Sequence, residues 1–485
     1  MKTNPVLKNV PGEKAELWQW TTSELAAAIK AGKISSREAV QSSLNRIEEV
    51  NPKLNALVEV YGDEALLAAD EADQKVAAGE KLGPLHGVPT SIKVNTDEKG
   101  KATTNGVVAF KDNIAEKDAP IVSNLRKAGA IFVGRNNAPA FAYRWFTNND
   151  LHGRTLNPWN PSKTPGGSSG GAAAAVASGM LPFAHGNDIG GSVRHPAYAT
   201  GIIGLRPTAG RFPAVEMNGE DRTLSQQLMG TQGALTRTIA DSRLTFEASI
   251  ALDPNDPIQA PVPAIGEPLQ GPIRVGLLKD IGVADPSAAV DEALDDAAAK
   301  LKNAGYIVEE VDLPLFAEAW RLWYLLCMEE FRLIMPLVDE VGDHGMKTAA
   351  KYYYEVSQEW WGEKPTLEDY IKGYARRGTL IVELQRFLEK YPILLMPVST
   401  EQAFDQDADI ESLEGMRRTM AAQWPMKSVP VLGFPGLSIS TSIQNGLPVG
   451  VQLLGRRFRE DTLFEAAEVL EAHQTIETPI DPQWN

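Results

Sequence analysis

The chain has 485 residues, of which 43% are hydrophobic and 23% are charged, the proportions of an ordinary soluble globular protein. Its formal net charge of −16 argues against nucleic acid as the main partner, because binding phosphates requires a basic surface. The single cysteine excludes an internal disulfide and a cysteine-rich zinc site, and the six histidines form no H-E-x-x-H or similar pair, so we expect no bound metal.

The first residues contain no apolar stretch of the kind found in secretory signals. No run approaches the ~20 uninterrupted apolar residues that a membrane span requires. We therefore expect a cytoplasmic protein that does not enter the membrane. Its expected form is a monomer or a homodimer.

The first third of the chain alternates between helical and strand patterns. Apolar residues recur at helical spacing over residues 21–50, and Asn51-Pro52 is expected to end that helix. A second helix is predicted over residues 63–78, which are rich in Ala, Leu and Glu. Short apolar runs at 90–94 and 130–134 are typical of buried strands. This alternation predicts an α/β fold.

The remainder of the chain continues this alternation. Residues 157–210 are dense in small residues, which indicates that backbone segments approach one another closely. The proline-rich stretch 253–272 is the best candidate for a linker, and residues 314–388 are predicted to be mostly helical. Further strands are predicted over 273–278, 306–311, 393–397, 436–442 and 449–454, and helices over 287–304 and 461–473. We predict a central mixed twisted sheet covered by helices on both faces.

Two glycine-serine clusters contain the candidate chemistry. They are GGSSGG at 166–171 and DIGGS at 188–192, and their serines Ser168 and Ser192 are 24 residues apart. Attack of Ser192 on a carbonyl carbon would create an oxyanion, which needs preorganised donors. Small residues before the serine allow several backbone N–H groups to point one way. The predicted donors are the amides of Ile189, Gly190, Gly191 and Ser192.

A serine hydroxyl is a weak nucleophile until a base takes its proton. Lys93 lies in the apolar strand pattern between Ile92 and Val94, and burial favours its neutral form, which is a competent base near pH 7. His185 and His195 lie close to the second cluster in sequence. On these residues alone a Ser–His hydrolase remains an alternative to a lysine base.

Several segments resemble the amidase signature family. GPLHGVPTSIK at 83–93 is similar to its lysine segment, GGSSGG at 166–171 to its glycine-serine segment, and residues 187–210, from NDIGGSVR to GIIGLRPTAG, to its nucleophile segment. The order of the three and the spacing of the serines agree as well. NPWNP at 157–161 and GLPVGVQ at 446–452 extend the similarity over nearly the whole chain.

The resemblance implies a role for each matching residue. Ser192 would be the nucleophile, Ser168 a bridging serine held by a cis peptide bond, and Lys93 the base at the far end of the relay. No cofactor would be needed. The residues expected to brace the loop through hydrogen bonds are Asp188, Arg194 and Ser169.

The resemblance also implies one amidase signature domain over residues 1–485, with core motifs within 80–210 and a helical, aromatic-rich substrate side at about 314–430. The expected activity is hydrolysis of the C–N bonds of amides or carbamates through an acyl-enzyme, with a small molecule as substrate. Two alternatives remain. One is an amidotransferase A-type subunit in a tRNA-dependent complex, and the other is a non-catalytic binding protein on the same fold.

Four positions depart from the common pattern of the family. Val94 follows the lysine where an acid is frequent, and Asn187 stands where Thr is usual. His185 and His195 replace apolar residues. The run His-Gly-Asn-Asp is similar to the branch that includes cyclic nylon-oligomer hydrolases and metagenomic urethanases. This similarity implies amides or carbamates of man-made type as substrates.

Aromatic residues at helical spacing mark the predicted substrate side. Two interpretations fit this spacing. In the first, the aromatic side chains pack against the core, and in the second they form a wall of the substrate pocket. In the second interpretation the pocket is apolar and suits bulky or aryl substrates. The candidate substrate-binding residues are Trp320, Trp323, Tyr324 and Cys327.

Overall fold

A computed structural model of the chain describes residues 16–217 and 221–484. Its strands are β1 (Leu57–Val60), β2 (Pro89–Lys93), β3 (Ile131–Asn136), β4 (Phe183–Asp188), β5 (Ile203–Arg206), β6 (Thr231–Thr236), β7 (Arg274–Leu277), β8 (Ile307–Glu310), β9 (Ile393–Pro397), β10 (Gly436–Gln444) and β11 (Leu447–Gly455). Its first eight α-helices are α1 (Thr22–Lys30), α2 (Ser36–Leu54), α3 (Gly62–Ala77), α4 (Pro120–Lys127), α5 (Gly170–Ala177), α6 (Arg194–Thr200), α7 (Leu224–Met229) and α8 (Ile239–Ser249). The others are α9 (Ala288–Asn303), α10 (Leu315–Phe331), α11 (Met335–Val341), α12 (His344–Trp361), α13 (Leu367–Lys390), α14 (Leu413–Ala422), α15 (Trp424–Leu432) and α16 (Glu460–Glu471).

The strands form one large mixed sheet and one small sheet. The large sheet has eight strands in the order β4-β6-β5-β10-β11-β9-β7-β8, and the small one has the order β1-β3-β2. Neighbours from β4 to β9 are antiparallel, and β7 is parallel to both β9 and β8. The large sheet is the predicted central mixed sheet, and the small sheet is separate from it because no strand ladder joins β2 to β4 in the described residues.

The two sheets meet side by side at β2 and β4. Thr90 Oγ1 donates to Phe183 O at 3.1 Å, and Lys93 N donates to His185 Nδ1 at 3.5 Å. The later residue of β2 pairs with the later residue of β4, so the two strands run in the same direction. Their carboxyl ends therefore lie next to each other, which is the edge at which an α/β sheet usually holds its functional residues.

Helices cover both faces of the large sheet, as β9 shows. Ile393 and Leu395 belong to the hydrophobic cluster that contains residues of α9 and α16. Leu394 and Met396 belong to a different cluster, with residues of α10, α13 and α15. Successive side chains of a strand point to opposite faces, so each face of β9 is buried under its own helices. The predicted α/β fold class with helices on both faces is confirmed.

The helix predicted over residues 21–50 is two helices. α1 and α2 each begin with a capping box, in which Thr21 pairs with Glu24 and Ser35 pairs with Glu38. These caps satisfy the free N–H groups at each start and so allow two short helices in place of one long one. Asn51-Pro52 does not end the second helix. α2 continues to Leu54, because a proline in the last turn removes only one terminal hydrogen bond.

β4 and β6 were not predicted, because glycine and polar residues interrupt their sequences. The two strands pair antiparallel with Gly186 opposite Gly233. A Cβ on Gly186 would lie 2.7 Å from Ser169 Oγ, and one on Gly233 would lie 2.6 Å from Leu205 O. The glycines are required by close packing, which overrides their poor strand propensity.

Residues 253–272 contain no helix or strand, as expected of a linker. They do not separate two domains, however, because Arg211 Nη1 ties the stretch to the body of the domain through Val262 O at 2.8 Å and Pro263 O at 3.0 Å. Residues 314–430 are largely helical, as predicted, with β9 and the loop after it between α13 and α14. Throughout the described ranges, no helix has the length and apolar character needed to cross a bilayer.

Candidate active site

Lys93 is the last residue of β2, and its side chain is fully buried. Its Nζ lies 2.7 Å from Ser168 Oγ and 2.7 Å from Asn187 Oδ1. Burial lowers the pKa of Lys93 to about 7, because desolvation disfavours the ammonium, and the nearby Asp188 carboxylate offsets only part of this effect. A large fraction of this amine is therefore neutral near pH 7 and can accept a proton.

Ser168 lies just before α5, and the Gly167–Ser168 peptide bond is cis. A Cβ on Gly167 would lie 2.5 Å from Arg144 O, so a larger residue does not fit. The backbone amide of Ser169 donates to Ser192 O at 3.2 Å, which joins the two glycine-serine clusters. Within the described part of the chain, Ser192 Oγ forms no hydrogen bond. The two hydroxyls face one cavity without being bonded to each other.

The loop from Ile189 to Ser192 is held from behind by two indoles. Trp323 Nε1 donates to Ile189 O and Trp145 Nε1 donates to Gly190 O, each at 2.8 Å. With their carbonyls fixed in this way, the peptide planes cannot turn over. Gly191 has a φ of +94°, a conformation that glycine adopts without strain.

The backbone amides of this loop are not equivalent. Gly191 N donates to Asp188 Oδ1 at 2.9 Å, so this amide, one of the four predicted oxyanion donors, is already paired within the protein. The amides of Ile189, Gly190 and Ser192 have no acceptor among the residues that the structure describes. Three amides therefore remain as candidate donors to an oxyanion, and the fourth shapes the turn.

Asp188 is the fully buried anchor of the loop. Its carboxylate accepts from Arg194 Nε and Nη2, both at 3.0 Å, and from the amides of Gly191 and Val193. Arg206 Nη1 donates to the backbone O of Asp188 at 2.6 Å. The two guanidiniums outweigh the effect of burial and lower the pKa of Asp188 to about 2.

A cavity of about 330 Å³ opens in front of the two serines. Most of its lining residues are polar, and Phe141 is its one aromatic residue within the described ranges. Burial raises the pKa of Glu216 on this wall to about 8, so its carboxyl is largely protonated at neutral pH. The other polar residues of the wall, apart from the two serines, are Asn95, Asn105, Asn187, Asp188, Asp221, Arg222, Gln226, Thr231 and Gln232.

The predicted aromatic wall differs from this observed one. None of Trp320, Trp323, Tyr324 and Cys327 lines the cavity. All are buried in the hydrophobic cluster around α10, behind the Ile189–Ser192 loop. Of the four, Trp323 alone donates a hydrogen bond to that loop. Helical spacing correctly placed the four residues on one side of a helix, but that side packs against α15 and α12 and not against the cavity.

Ser169 and the two histidines are the remaining candidates from the sequence. Ser169 braces the site through its backbone amide, whereas its Oγ has no hydrogen-bond partner in the described chain. His185 and His195 are buried, and within the described residues neither ring forms a hydrogen bond with Ser168 or Ser192. His185 Nε2 pairs with Gln232 Oε1 at 3.0 Å, and the ring of His195 packs against Trp145 and Phe404. Burial lowers the pKa of both histidines to about 3, so they are poor bases.

The residues that sequence reasoning missed act through backbone contacts or across long separations. Asn187 Oδ1 accepts a hydrogen bond from Lys93 Nζ. In the sequence this residue was noticed only because it departs from the family pattern, and no role was predicted for it. Arg206 lies in a segment that resembles the family, but nothing in that segment assigns it a role. Trp145 and Lys427 lie outside all of these segments. No local pattern could have joined them to the loop, because each approaches it from a different part of the fold.

A family profile described as Amidase matches residues 38–464. The chain belongs to the amidase family. The indoleacetamide hydrolase of Bradyrhizobium diazoefficiens is 41% identical over 483 residues, which cover 96% of this chain and 90% of the relative. The A-type subunit of the glutamyl-tRNA(Gln) amidotransferase of Carboxydothermus hydrogenoformans is 32% identical, with 94% of this chain and 97% of the relative covered.

Solved amidase structures share the fold over almost the whole chain. A bacterial aryl acylamidase is 25% identical with a TM-score of 0.79, covering 96% of this chain and 98% of its own. A 6-aminohexanoate cyclic dimer hydrolase is 24% identical with a TM-score of 0.77, covering 97% and 99%. As a member of the amidase family, the chain is a hydrolase of carbon–nitrogen bonds other than peptide bonds, with small-molecule amides as substrates.

Proposed function

We propose that this amidase hydrolyses aryl amides through an acyl-enzyme on Ser192, with Ser168 and Lys93 as its proton relay. The observation that carries the proposal is the 2.7 Å contact between Lys93 Nζ and Ser168 Oγ. The amine is buried and has a pKa near 7, so it can take a proton that Ser168 passes on. No organic cofactor takes part in these steps.

In the first step Ser192 Oγ bonds to the substrate carbonyl carbon. Its proton moves to Ser168 Oγ as the Ser168 proton moves to Lys93 Nζ, which becomes an ammonium. The carbonyl oxygen becomes an oxyanion within reach of the free amides of Ile189, Gly190 and Ser192. Because the indoles of Trp145 and Trp323 already fix the loop, little reorganisation is needed when this charge appears.

In the second step the C–N bond breaks and the protons return. The leaving nitrogen takes a proton from Ser168, which regains one from the Lys93 ammonium, and Ser192 keeps the acyl group. Water then attacks the ester as the relay removes its proton. The acid is released with Ser192 and Lys93 in their starting states. A carbamate cleaved at its C–N bond would follow the same path and leave a carbonate ester on Ser192, whereas cleavage of its C–O bond would release the alcohol and leave a carbamoyl group.

The aryl preference rests on the relatives and on the size of the cavity. The 41% identical relative is an indoleacetamide hydrolase, and a bacterial aryl acylamidase shares the fold. A volume of about 330 Å³ is within the usual range for a small ligand. The polar wall suits the amide group, and Phe141, Ile189 and Ala142 offer apolar contact to a ring. Carbamates and man-made amides are the second substrate class that we propose.

Purified chain alone should release ammonia from a primary aryl-acetamide and aniline from an anilide. We expect kcat/KM for these amides to exceed that for aliphatic amides of equal size, because a ring fills more of the cavity's apolar side. The matched ethyl carbamates and esters of the same aryl groups, assayed by product release, give the order of substrate classes. Ser192→Ala should remove activity on every member of the panel.

Two outcomes would overturn this proposal. Activity that appears only with partner chains, a tRNA-bound substrate and an ammonia source would favour the alternative of an A-type amidotransferase component. Folded protein that hydrolyses nothing and forms no adduct at Ser192 with a fluorophosphonate would favour a binding protein. Equal rates for aryl and aliphatic amides would leave the hydrolase intact and remove only the aryl preference.

A further inference from the structure

A second buried lysine lies behind the oxyanion loop. Lys427 is in α15 and is 3% exposed. Its Nζ lies 3.2 Å from the centroid of the Trp323 ring and 4.6 Å from that of Trp145. The rings of Tyr324 and Tyr353 are 5.7 Å and 5.5 Å away. The amine thus lies in an aromatic cage formed by Trp145, Trp323, Tyr324 and Tyr353.

The aromatic cage offers the Lys427 ammonium a favourable interaction that does not depend on a hydrogen-bond acceptor. Lysine is almost never fully buried without a partner, yet Lys427 Nζ donates to no acceptor in residues 16–217 and 221–484. The faces of indole and phenol rings attract an ammonium through their quadrupoles, most strongly where water is excluded. The cage therefore replaces the missing acceptor as long as Lys427 is charged.

The cage and the oxyanion loop share their two indoles. Trp323 donates to Ile189 O and Trp145 donates to Gly190 O, while the faces of the same rings meet Lys427 Nζ. A Cβ on Gly190 would come within 2.8 Å of Lys427 Nζ, so the amine lies directly against this glycine. Its charge is therefore adjacent to the peptide groups whose amides are free.

We propose that Lys427, as an ammonium, is a positioning residue for the oxyanion loop. It holds the two indoles that fix the loop carbonyls, and it adds a positive charge behind the amides where the oxyanion develops. The inference rests on the proposed serine mechanism and adds a requirement to it. Lys93 must be neutral to act as the base, whereas Lys427 must be charged.

The ionisable surroundings of Lys427 decide how its charge depends on pH. Burial lowers its pKa to about 7, and the neighbouring thiol and carboxylate offset only part of this effect. That carboxylate is already paired with two arginines, and burial raises the pKa of the thiol to about 12, so neither holds the ammonium firmly. The ionisable groups near Lys427 lie on several elements: Tyr324 and Cys327 on α10, Tyr353 on α12, Asp188 at the end of β4, Arg194 at the start of α6, Arg206 at the end of β5, and Arg377 on α13, which donates to Val431 O.

The proposal predicts a bell-shaped dependence of kcat/KM on pH. Activity should rise as Lys93 loses its proton and fall as Lys427 loses its own, both near pH 7.

Lys427→Met keeps the length of the side chain and removes the charge. It should lower kcat on an aryl amide by about 10- to 100-fold, less than the loss of a direct oxyanion donor can cost, and abolish the falling limb. Lys427→Arg stays charged and should keep activity high above pH 8.

The matched control is Trp320→Phe. Trp320 is also an indole of α10 with its Nε1 bonded to a backbone oxygen, that of Met420, but it does not contact the oxyanion loop. This variant should keep both limbs of the profile. Trp323→Phe, which loses the bond to Ile189 O, should lower kcat without a matching rise in KM.

The two lysine variants test the proposal independently. A folded Lys427→Met enzyme with wild-type kcat and a retained falling limb would overturn it, as would a falling limb that persists unchanged in Lys427→Arg. Either result leaves the proposed function intact, provided that Ser192→Ala is inactive. Failure of Ser192→Ala to remove activity would instead overturn the serine mechanism itself.

Discussion

Replacing Lys93 with methionine is expected to lower kcat by about 10⁴-fold, the loss usually seen when one member of a serine relay is removed. The variant keeps a side chain of similar length in the buried site at the end of β2, but its thioether sulfur is not basic and cannot take a proton from Ser168. Ser192 then has no route for its proton, although the loop amides can still bind an oxyanion. Steady-state rates with an anilide measure the effect, and thermal unfolding checks that the fold is intact.

The same residue sets the acid side of the pH profile. With a pKa of about 7, Lys93 is protonated and inactive well below neutral pH, so wild-type kcat/KM should rise tenfold per pH unit there. The residual activity of Lys93→Met should not show this limb. A wild-type profile that is flat between pH 5 and 7 would contradict a neutral lysine base.

Histidine variants provide the control for this prediction. His195→Phe keeps a ring between Trp145 and Phe404, and His185→Asn keeps a polar group near Gln232. Among the described residues neither ring is hydrogen-bonded to Ser168 or Ser192, so both variants should retain kcat within a few-fold. Losses as large as that of Lys93→Met would favour the Ser–His alternative.

The fold could be predicted from sequence where burial leaves an uninterrupted pattern. β9 was predicted over 393–397 and has those bounds, because both of its faces are covered and every position is apolar. β4 and β6 were missed because their identity depends on pairing with each other and on packing against α5, which a local window does not contain. The caps that divide α1 from α2 were visible in the sequence, since Thr21 with Glu24 and Ser35 with Glu38 have the spacing of capping boxes.

The candidate site could be predicted in part, for a similar reason. Lys93, Ser168 and Asp188 lie in segments that resemble a known family, and the structure brings all three to the ends of β2 and β4. The aromatic residues of α10 do not lie in a segment that resembles the family. Periodicity placed them on one face of a helix, but it could not tell whether that face meets a cavity or the back of a loop.

Replacing Asp188 with asparagine is expected to cost about 3 to 5 kcal/mol of stability, because it leaves the guanidiniums of Arg194 and Arg206 buried without an anion. The lowered pKa of Asp188 in the folded protein also indicates that its ionised carboxylate stabilises the fold. The folded-state pKa of about 2 lies below the usual value of 3.8, so the contribution of the carboxylate is complete above that value and is lost as the pH falls toward 2. Urea unfolding at pH 7 measures the loss, which should shrink when both proteins are compared near pH 3.

Glu460→Gln is the matched control for Asp188→Asn. Glu460 is another fully buried carboxylate, paired with Arg211 Nη2 at 2.9 Å, and it lies outside the cavity and the loop. Both variants should therefore unfold at lower urea concentration. Only Asp188→Asn should also lower kcat in the folded protein, because Asp188 holds the amide of Gly191 and so the turn that precedes Ser192. An Asp188→Asn enzyme that is destabilised yet keeps full kcat would show that the turn needs no carboxylate to present its amides, and the electrostatic account of the loop would then have to rest on Lys427 and the two indoles.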